Sequence, residues 1–204
     1  MISDSEYQEL KEWVITYIDE QCIIRDTIMP GKLPGSTYTW MFYLRNGLFH
    51  HSFLSAIGQM FIYRVNREIG HFDFQLSGLE TASTPMLAGI PMVARAFDIR
   101  LNSFSIRKSR KEYGLKNWLE GRPNNKPVML IDDLCNSSKS MGFAHHILES
   151  HNIPVLDYAF CIVNKVNKEV HDVDRQVSDM YLPKKIKIIS LFDLDDFGLN
   201  NPSH

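Results

Sequence analysis

Residues 127–144, PVMLIDDLCNSSKSMGFA, constrain the fold more than any other stretch of the chain. Val128, Met129, Leu130 and Ile131 are four apolar residues in a row, the pattern of a strand buried on both faces rather than on one. The run ends in two adjacent carboxylates, Asp132 and Asp133, and these are followed by Asn136, Ser137, Ser138, Lys139 and Ser140. A helical pattern then extends over roughly 140–151. In open parallel α/β sheets, ligands bind beyond the carboxyl ends of the strands, where a loop leads into a helix. Backbone N–H groups at such a helix start, with hydroxyls beside them, form a ready site for a phosphate. Two acids just ahead of an anion cradle are unfavourable unless the ligand carries hydroxyls as well as phosphate, together with a divalent cation. A sugar phosphate with Mg2+ meets that requirement.

Two further segments carry charge or turn chemistry. Residues 104–121, FSIRKSRKEYGLKNWLEG, hold Arg107, Lys108 and Lys111, with Tyr113 and Gly114 after them. Cations on a loop of this kind close over an anionic leaving group, exclude water and stabilise developing charge. Read alone, such a cluster is also an ordinary solvated face. Residues 76–85, LSGLETASTP, read as a strand–turn–helix joint in which Gly78 supplies the turn. Glu80, Thr81, Ala82 and Ser83 form the loop, with small residues that admit backbone amides close to a ligand, and Pro85 suits the first helical position.

Along the chain, Ser3 and Glu6 predict a capping box ahead of a helix reaching about residue 21. Met29 to Gly35, with two prolines and two glycines, predicts a loop, and 36–45 an extended segment. An amphipathic helix follows over about 50–69, with Leu54, Ile57, Phe61, Ile62 and Val65 on one face. Strands are predicted at 72–76, near 100–106, at 127–132, at 154–163 and at 186–191. A helix from Pro85 to about Phe97 is open to a kink at Pro91. This alternation is that of an α/β fold, a parallel sheet with helices on both faces. Nothing in the chain reads as a linker, so 1–204 is read as a single domain, with 1–45 as an accessory element and 46–204 as the ligand-binding core.

The three segments, in this order and spacing, resemble the type I phosphoribosyltransferases, and orotate phosphoribosyltransferases most of all. The resemblance implies a type I phosphoribosyltransferase-like parallel sheet flanked by helices, with a small N-terminal hood. It implies transfer of ribose 5-phosphate from phosphoribosyl pyrophosphate (PRPP) to a nucleobase, most naturally orotate, giving orotidine 5′-monophosphate and pyrophosphate. Asp132 and Asp133 would take the ribose hydroxyls, and Asn136, Ser137, Ser138, Lys139 and Ser140 the 5′-phosphate. Arg107, Lys108, Lys111 and Tyr113 would sit on the hood loop against the pyrophosphate, with Lys111 joining the acid pair as catalytic. Glu80 to Ser83 would form the pyrophosphate loop. Mg2+ would be held mainly by PRPP and water, and the chain would form a homodimer. The sequence departs from the family in three places. Ser138 stands where the phosphate loop usually has glycine, Tyr113 where the hood loop has histidine, and Asn164 or Lys165 where orotate enzymes have arginine. A non-catalytic, regulatory PRPP-binding protein of the same fold is the alternative.

Composition narrows the partners. A formal net charge of −2 and an isoelectric point near 6.4 argue against a dedicated nucleic-acid binder. The N-terminus, MISDSEYQEL, lacks the basic and apolar regions of a signal peptide, and no apolar run is long enough for a membrane span. Three widely separated cysteines, Cys22, Cys135 and Cys161, read as reduced thiols, so a cytoplasmic location is expected. The pairs His50–His51 and His145–His146 read as surface or cap residues.

Overall fold

The structure is a computed structural model that describes residues 1–30, 37–109, 117–165, 182–183 and 185–199. The chain opens with α1 (Asp4–Tyr17), whose start is the predicted capping box. Ser3 Oγ accepts from the Glu6 amide at 3.3 Å, and the Glu6 carboxylate accepts from the Ser3 amide at 2.7 Å. One π-helical turn, Ile18–Cys22, carries the helix into a hairpin of β1 (Ile23–Pro30) and β2 (Thr37–Phe42). Met29 and Pro30 therefore end a strand, where the sequence predicted a loop; Pro30 is tolerated because this ribbon has only two strands and each has a free edge. The rest of the predicted loop, 31–36, lies outside the described residues.

After α2 (Arg45–Leu48) and α3 (His51–Glu68), the remaining elements build the main layer. They are β3 (Gln75–Leu79), α4 (Thr84–Arg95), β4 (Ser103–Ile106), β5 (Leu119–Glu120), β6 (Val128–Cys135), α5 (Lys139–Ser150), β7 (Val155–Asn164) and β8 (Lys187–Asp193). Their sheet runs β5-β4-β3-β6-β7-β8, and every pairing is parallel except β4 with β5. The chain travels outward from β3 to β4, returns past it to β6, and then travels outward the other way. Strand order thus reverses between β3 and β6, the place where such sheets open a crevice.

Helices cover both faces. On one, α1, α3 and α4 pack against Met129, Ile131, Phe160 and Ile162, and Tyr7, Val14, Ile23 and Phe42 join the same core. On the other, Met141, Ala144 and Leu148 of α5 meet Val128, Leu130 and Ala159. Alternate residues of β6 thus feed opposite cores, as a period of two requires. Each fully buried side chain of this kind stabilises the fold by about 1.5–3 kcal/mol. His145 faces inward and is buried within α5, with Nδ1 3.3 Å from Glu149, where the sequence read it as a surface or cap residue. Among the described residues, no helix is long and apolar enough to cross a membrane.

β3 lies about three residues beyond the predicted FDFQL strand. Phe72 and Phe74 mimic strand alternation, but the ladder to β6 begins at Gln75. That residue is fully buried, its Nε2 donating to the carbonyls of Asn124 (2.9 Å) and Lys126 (2.7 Å). Gly78 consequently lies inside the strand and not at the turn. Its requirement is closeness: a Cβ there would stand 2.3 Å from the Ile131 carbonyl oxygen and 2.7 Å from Ser83 Cβ.

Candidate functional site

β6 extends three residues past its predicted end at 132, so Asp133 is a strand residue as Asp132 is. Asp132 is only 7% exposed, and Asp133 is half-buried. The Asp133 amide donates to Asp132 Oδ1 at 3.0 Å. Burial holds the Asp132 carboxyl well above the usual carboxylate range, and the charge of Asp133 pushes it further the same way. Asp133 is also raised by burial, against the pull of hydrogen bonds and of the Arg45 charge. Both shifts have one physical meaning: the hydrogen bonds and positive charge that reach the pair do not offset its burial. Ligand hydroxyls, or a divalent cation shared with ligand oxygens, would supply more of both.

The turn after β6 leads into α5 through Ser138, whose φ of +52° and ψ of +10° are left-handed. A residue with a Cβ pays about 1–2 kcal/mol there, and glycine would avoid it. Ser138 is buried but makes no side-chain cap. The turn is one wall of a cavity of about 480 Å3. Asp132, Asp133, Asn136, Ser137, Ser138, Lys139 and Ser140 all line it, as does Ala82 from the turn after β3. Trp40, Met41 and Phe42 of β2 close the cavity with Lys165, the residue after β7. The Lys165 amide donates to the Cys135 carbonyl at 2.7 Å, and its ammonium lies 4.5 Å from the Trp40 ring centroid. Burial lowers the pKa of that ammonium.

The other predicted segments are arranged differently. Ser83 Oγ donates to the Leu79 carbonyl at 2.8 Å, and Glu80 Oε1 accepts from the Lys108 amide at 3.1 Å. The Glu80–Thr81 peptide is cis. Arg107 is turned to carboxylates, 3.0 Å from Glu120 and 4.0 Å from Glu80. Lys108 lines a second, smaller cavity beside Asp133. Glu80, Thr81, Ser83 and Arg107 line neither cavity, and Lys111, Tyr113 and Gly114 lie outside the described residues. Trp40, Phe42, Cys135 and Arg45 are the residues sequence reasoning missed. Only tertiary packing brings β2 over the end of β6, and no local pattern announces it.

The carboxylates of Asp132 and Asp133 and the turn after β6 can bind a ligand bearing hydroxyls and phosphate together; Lys165 offers a cation beside a flat aromatic face. Among the described residues, no group of three or more His, Cys, Asp or Glu side chains could hold a metal ion. A magnesium ion would therefore sit on one or both aspartates and complete its shell with ligand oxygens and water, its usual manner.

No protein-family model matches the sequence. Curated relatives do. Orotate phosphoribosyltransferase of Rhodopirellula baltica is 24% identical over 135 residues, 65% of this chain and 65% of that protein. The Fusobacterium nucleatum orotate phosphoribosyltransferase is 29% identical over 120 residues, 58% of this chain and 54% of its own. The chain thus spans between about half and two thirds of these two relatives. Among solved structures, Mycobacterium tuberculosis orotate phosphoribosyltransferase superposes with a TM-score of 0.68 at 17% identity, covering 93% of this chain and 99% of that one. Adenine phosphoribosyltransferase of Trypanosoma brucei gives 0.59 at 14% identity, over 96% and 85% of the two chains. A mostly parallel sheet flanked by helices that superposes on these enzymes is the type I phosphoribosyltransferase fold. The curated relatives that the chain matches are orotate phosphoribosyltransferases.

Proposed function

We propose that this protein is a pentosyltransferase that moves ribose 5-phosphate from PRPP to a ring nitrogen of an anionic nucleobase, orotate first among them. One observation carries the reading. At the switch point of the sheet, the buried Asp132, the half-buried Asp133 and an open hydroxyl-rich turn share a single cavity of about 480 Å3. The similarity to orotate phosphoribosyltransferases supports it.

In this mechanism Asp132 and Asp133 orient the ribose hydroxyls and offset positive charge as the bond at C1′ breaks, so positioning and electrostatics supply most of the rate. Asn136, Ser137, Ser138, Lys139 and Ser140 hold the 5′-phosphate. Lys108 and Ala82 wall the pyrophosphate side beside Asp133, and Arg107, Lys111 and Tyr113, with Glu80, Thr81 and Ser83, would meet the pyrophosphate only once PRPP is bound. When bound, Mg2+ neutralises diphosphate charge. Lys165 neutralises an acceptor carboxylate without the two-pronged fit of arginine, and Trp40 offers a face to the ring. We further propose a single functional unit that works as a homodimer, with residues 1–45 closing the acceptor side.

Pyrophosphate release from PRPP and Mg2+, measured across orotate, uracil and the purine bases, tests the reading. Release with orotate is expected. Lys165→Ala should raise the orotate KM at least tenfold while the PRPP KM stays within twofold. A non-catalytic PRPP-binding role is the second reading, favoured by the left-handed Ser138 in place of glycine. It predicts stabilisation by PRPP with no release for any base.

A further inference from the structure

The second cavity, about 190 Å3, opens beside the acid pair and shares Phe42, Ala82, Asp133 and Leu134 with the first. Its two cations come from different parts of the chain: Lys108 from just beyond β4, and Arg45 from the start of α2. Among the described residues, neither side chain is ion-paired with a carboxylate, in contrast to Arg107, which is held by Glu120. The Arg45 guanidinium lies over the Tyr43 ring, 4.8 Å from its centroid. That contact fixes the group from one face and occupies none of its N–H donors. The charge of Arg45 also acts on Asp133, partly offsetting the cost of burying that carboxylate.

Two unpaired cations converging on a space walled by Asp133 and Ala82 call for a ligand with at least two negative charges, adjoining whatever the acid pair holds. We infer that Arg45 is a diphosphate-binding residue, receiving with Lys108 the diphosphate arm of PRPP. This inference rests on the PRPP reading given above and adds to it a cation from the N-terminal segment, separate from the basic loop 107–111. The guanidinium fork suits phosphate oxygens in a bidentate manner, and an ammonium at this position would keep the charge but lose the fork.

Calorimetric titration in Mg2+ buffer of PRPP, inorganic pyrophosphate and ribose 5-phosphate tests it on the full chain, Arg45→Ala and Arg45→Lys. Arg45→Ala should weaken PRPP and pyrophosphate by roughly tenfold to a hundredfold, the range for charged hydrogen bonds, and leave ribose 5-phosphate within twofold. Arg45→Lys should fall between. If Arg45→Ala lowers the melting temperature sharply, Arg45→Gln, which keeps a planar polar group over Tyr43, replaces it. Equal pyrophosphate affinity in the wild type and the variants overturns the inference, as does a parallel loss of ribose 5-phosphate. A wild type that binds PRPP while Arg45→Ala loses nothing removes Arg45 and leaves the transferase reading standing. A wild type that binds pyrophosphate through Arg45 but not PRPP does the reverse. Binding of neither removes both.

Discussion

Two turns leave the sheet side by side, one after β3 and one after β6, and each leads into a helix. The turn after β3 satisfies itself. Ser83 returns its hydroxyl to Leu79, Glu80 takes the Lys108 amide, and Gly78 lets the strand press against the Ile131 carbonyl. The turn after β6 does the opposite. Ser138 holds a left-handed conformation and caps nothing, and the two acids behind it are buried together at a cost in charge. Polar groups that a protein buries without partners are expensive, so a turn that keeps them is shaped for something other than its own stability. The neighbouring turn shows the same joint with the polar side chains of Glu80 and Ser83 already partnered.

The largest effect should come from the β6 side. Asp132→Asn with Asp133→Asn should weaken PRPP at least a hundredfold in calorimetry, about 3 kcal/mol or more for lost charged hydrogen bonds. The same change should raise the melting temperature of the ligand-free protein, because it removes two like charges from a buried site. A variant with unchanged PRPP affinity would sink the site assignment.

Gly78→Ala attacks the other turn. Its new Cβ meets a backbone oxygen that cannot swing aside, so a loss of about 2–3 kcal/mol is expected. For a chain of this size that is roughly a 5–10 °C fall in Tm by calorimetric scanning. A fall of under 1 °C would mean β3 and β6 are not so tightly keyed.

A pH series sharpens the contrast. Asp132 titrates higher folded than unfolded, so its contribution to stability is fully present below the ordinary carboxylate value of about 3.9 and is lost as pH rises through the raised value. Urea midpoints of the wild type should therefore decline with rising pH, from about pH 4 upward, relative to Asp132→Asn. Parallel curves would show that the carboxyl is not stressed. Smallest is Ser138→Gly, which relieves the left-handed strain and should gain about 0.5–1 kcal/mol in urea unfolding, a sign opposite to that of Gly78→Ala.

Where the chemistry is contiguous, it was legible. The apolar run of β6, its acids and the serine-rich turn are neighbours in sequence and line one cavity. The long periodic elements α3 and β7 lie within a residue or two of expectation, because their burial pattern and their hydrogen bonding coincide. β5, two residues long, has no pattern to read, and β1 is stabilised by a partner strand more than by its own alternation. The wall of the cavity that β2 closes with Lys165 was legible only through Lys165, where the sequence departs from the orotate enzymes. Trp40 and Arg45 lie far from Asp133 in the chain and reach the cavities beside it only when β2 and α2 fold over the sheet, a relation no local period encodes.

Trp40 has a practical consequence. The chain has three tryptophans, and Trp13 and Trp118 line neither cavity. Replacing those two with phenylalanine leaves a single indole at the cavity of the acid pair, beside the Lys165 ammonium. On the proposed function, its emission would report ring entry through quenching by a stacked base, whether or not turnover follows. The molecule carries its own binding assay, usable before any acceptor has been identified.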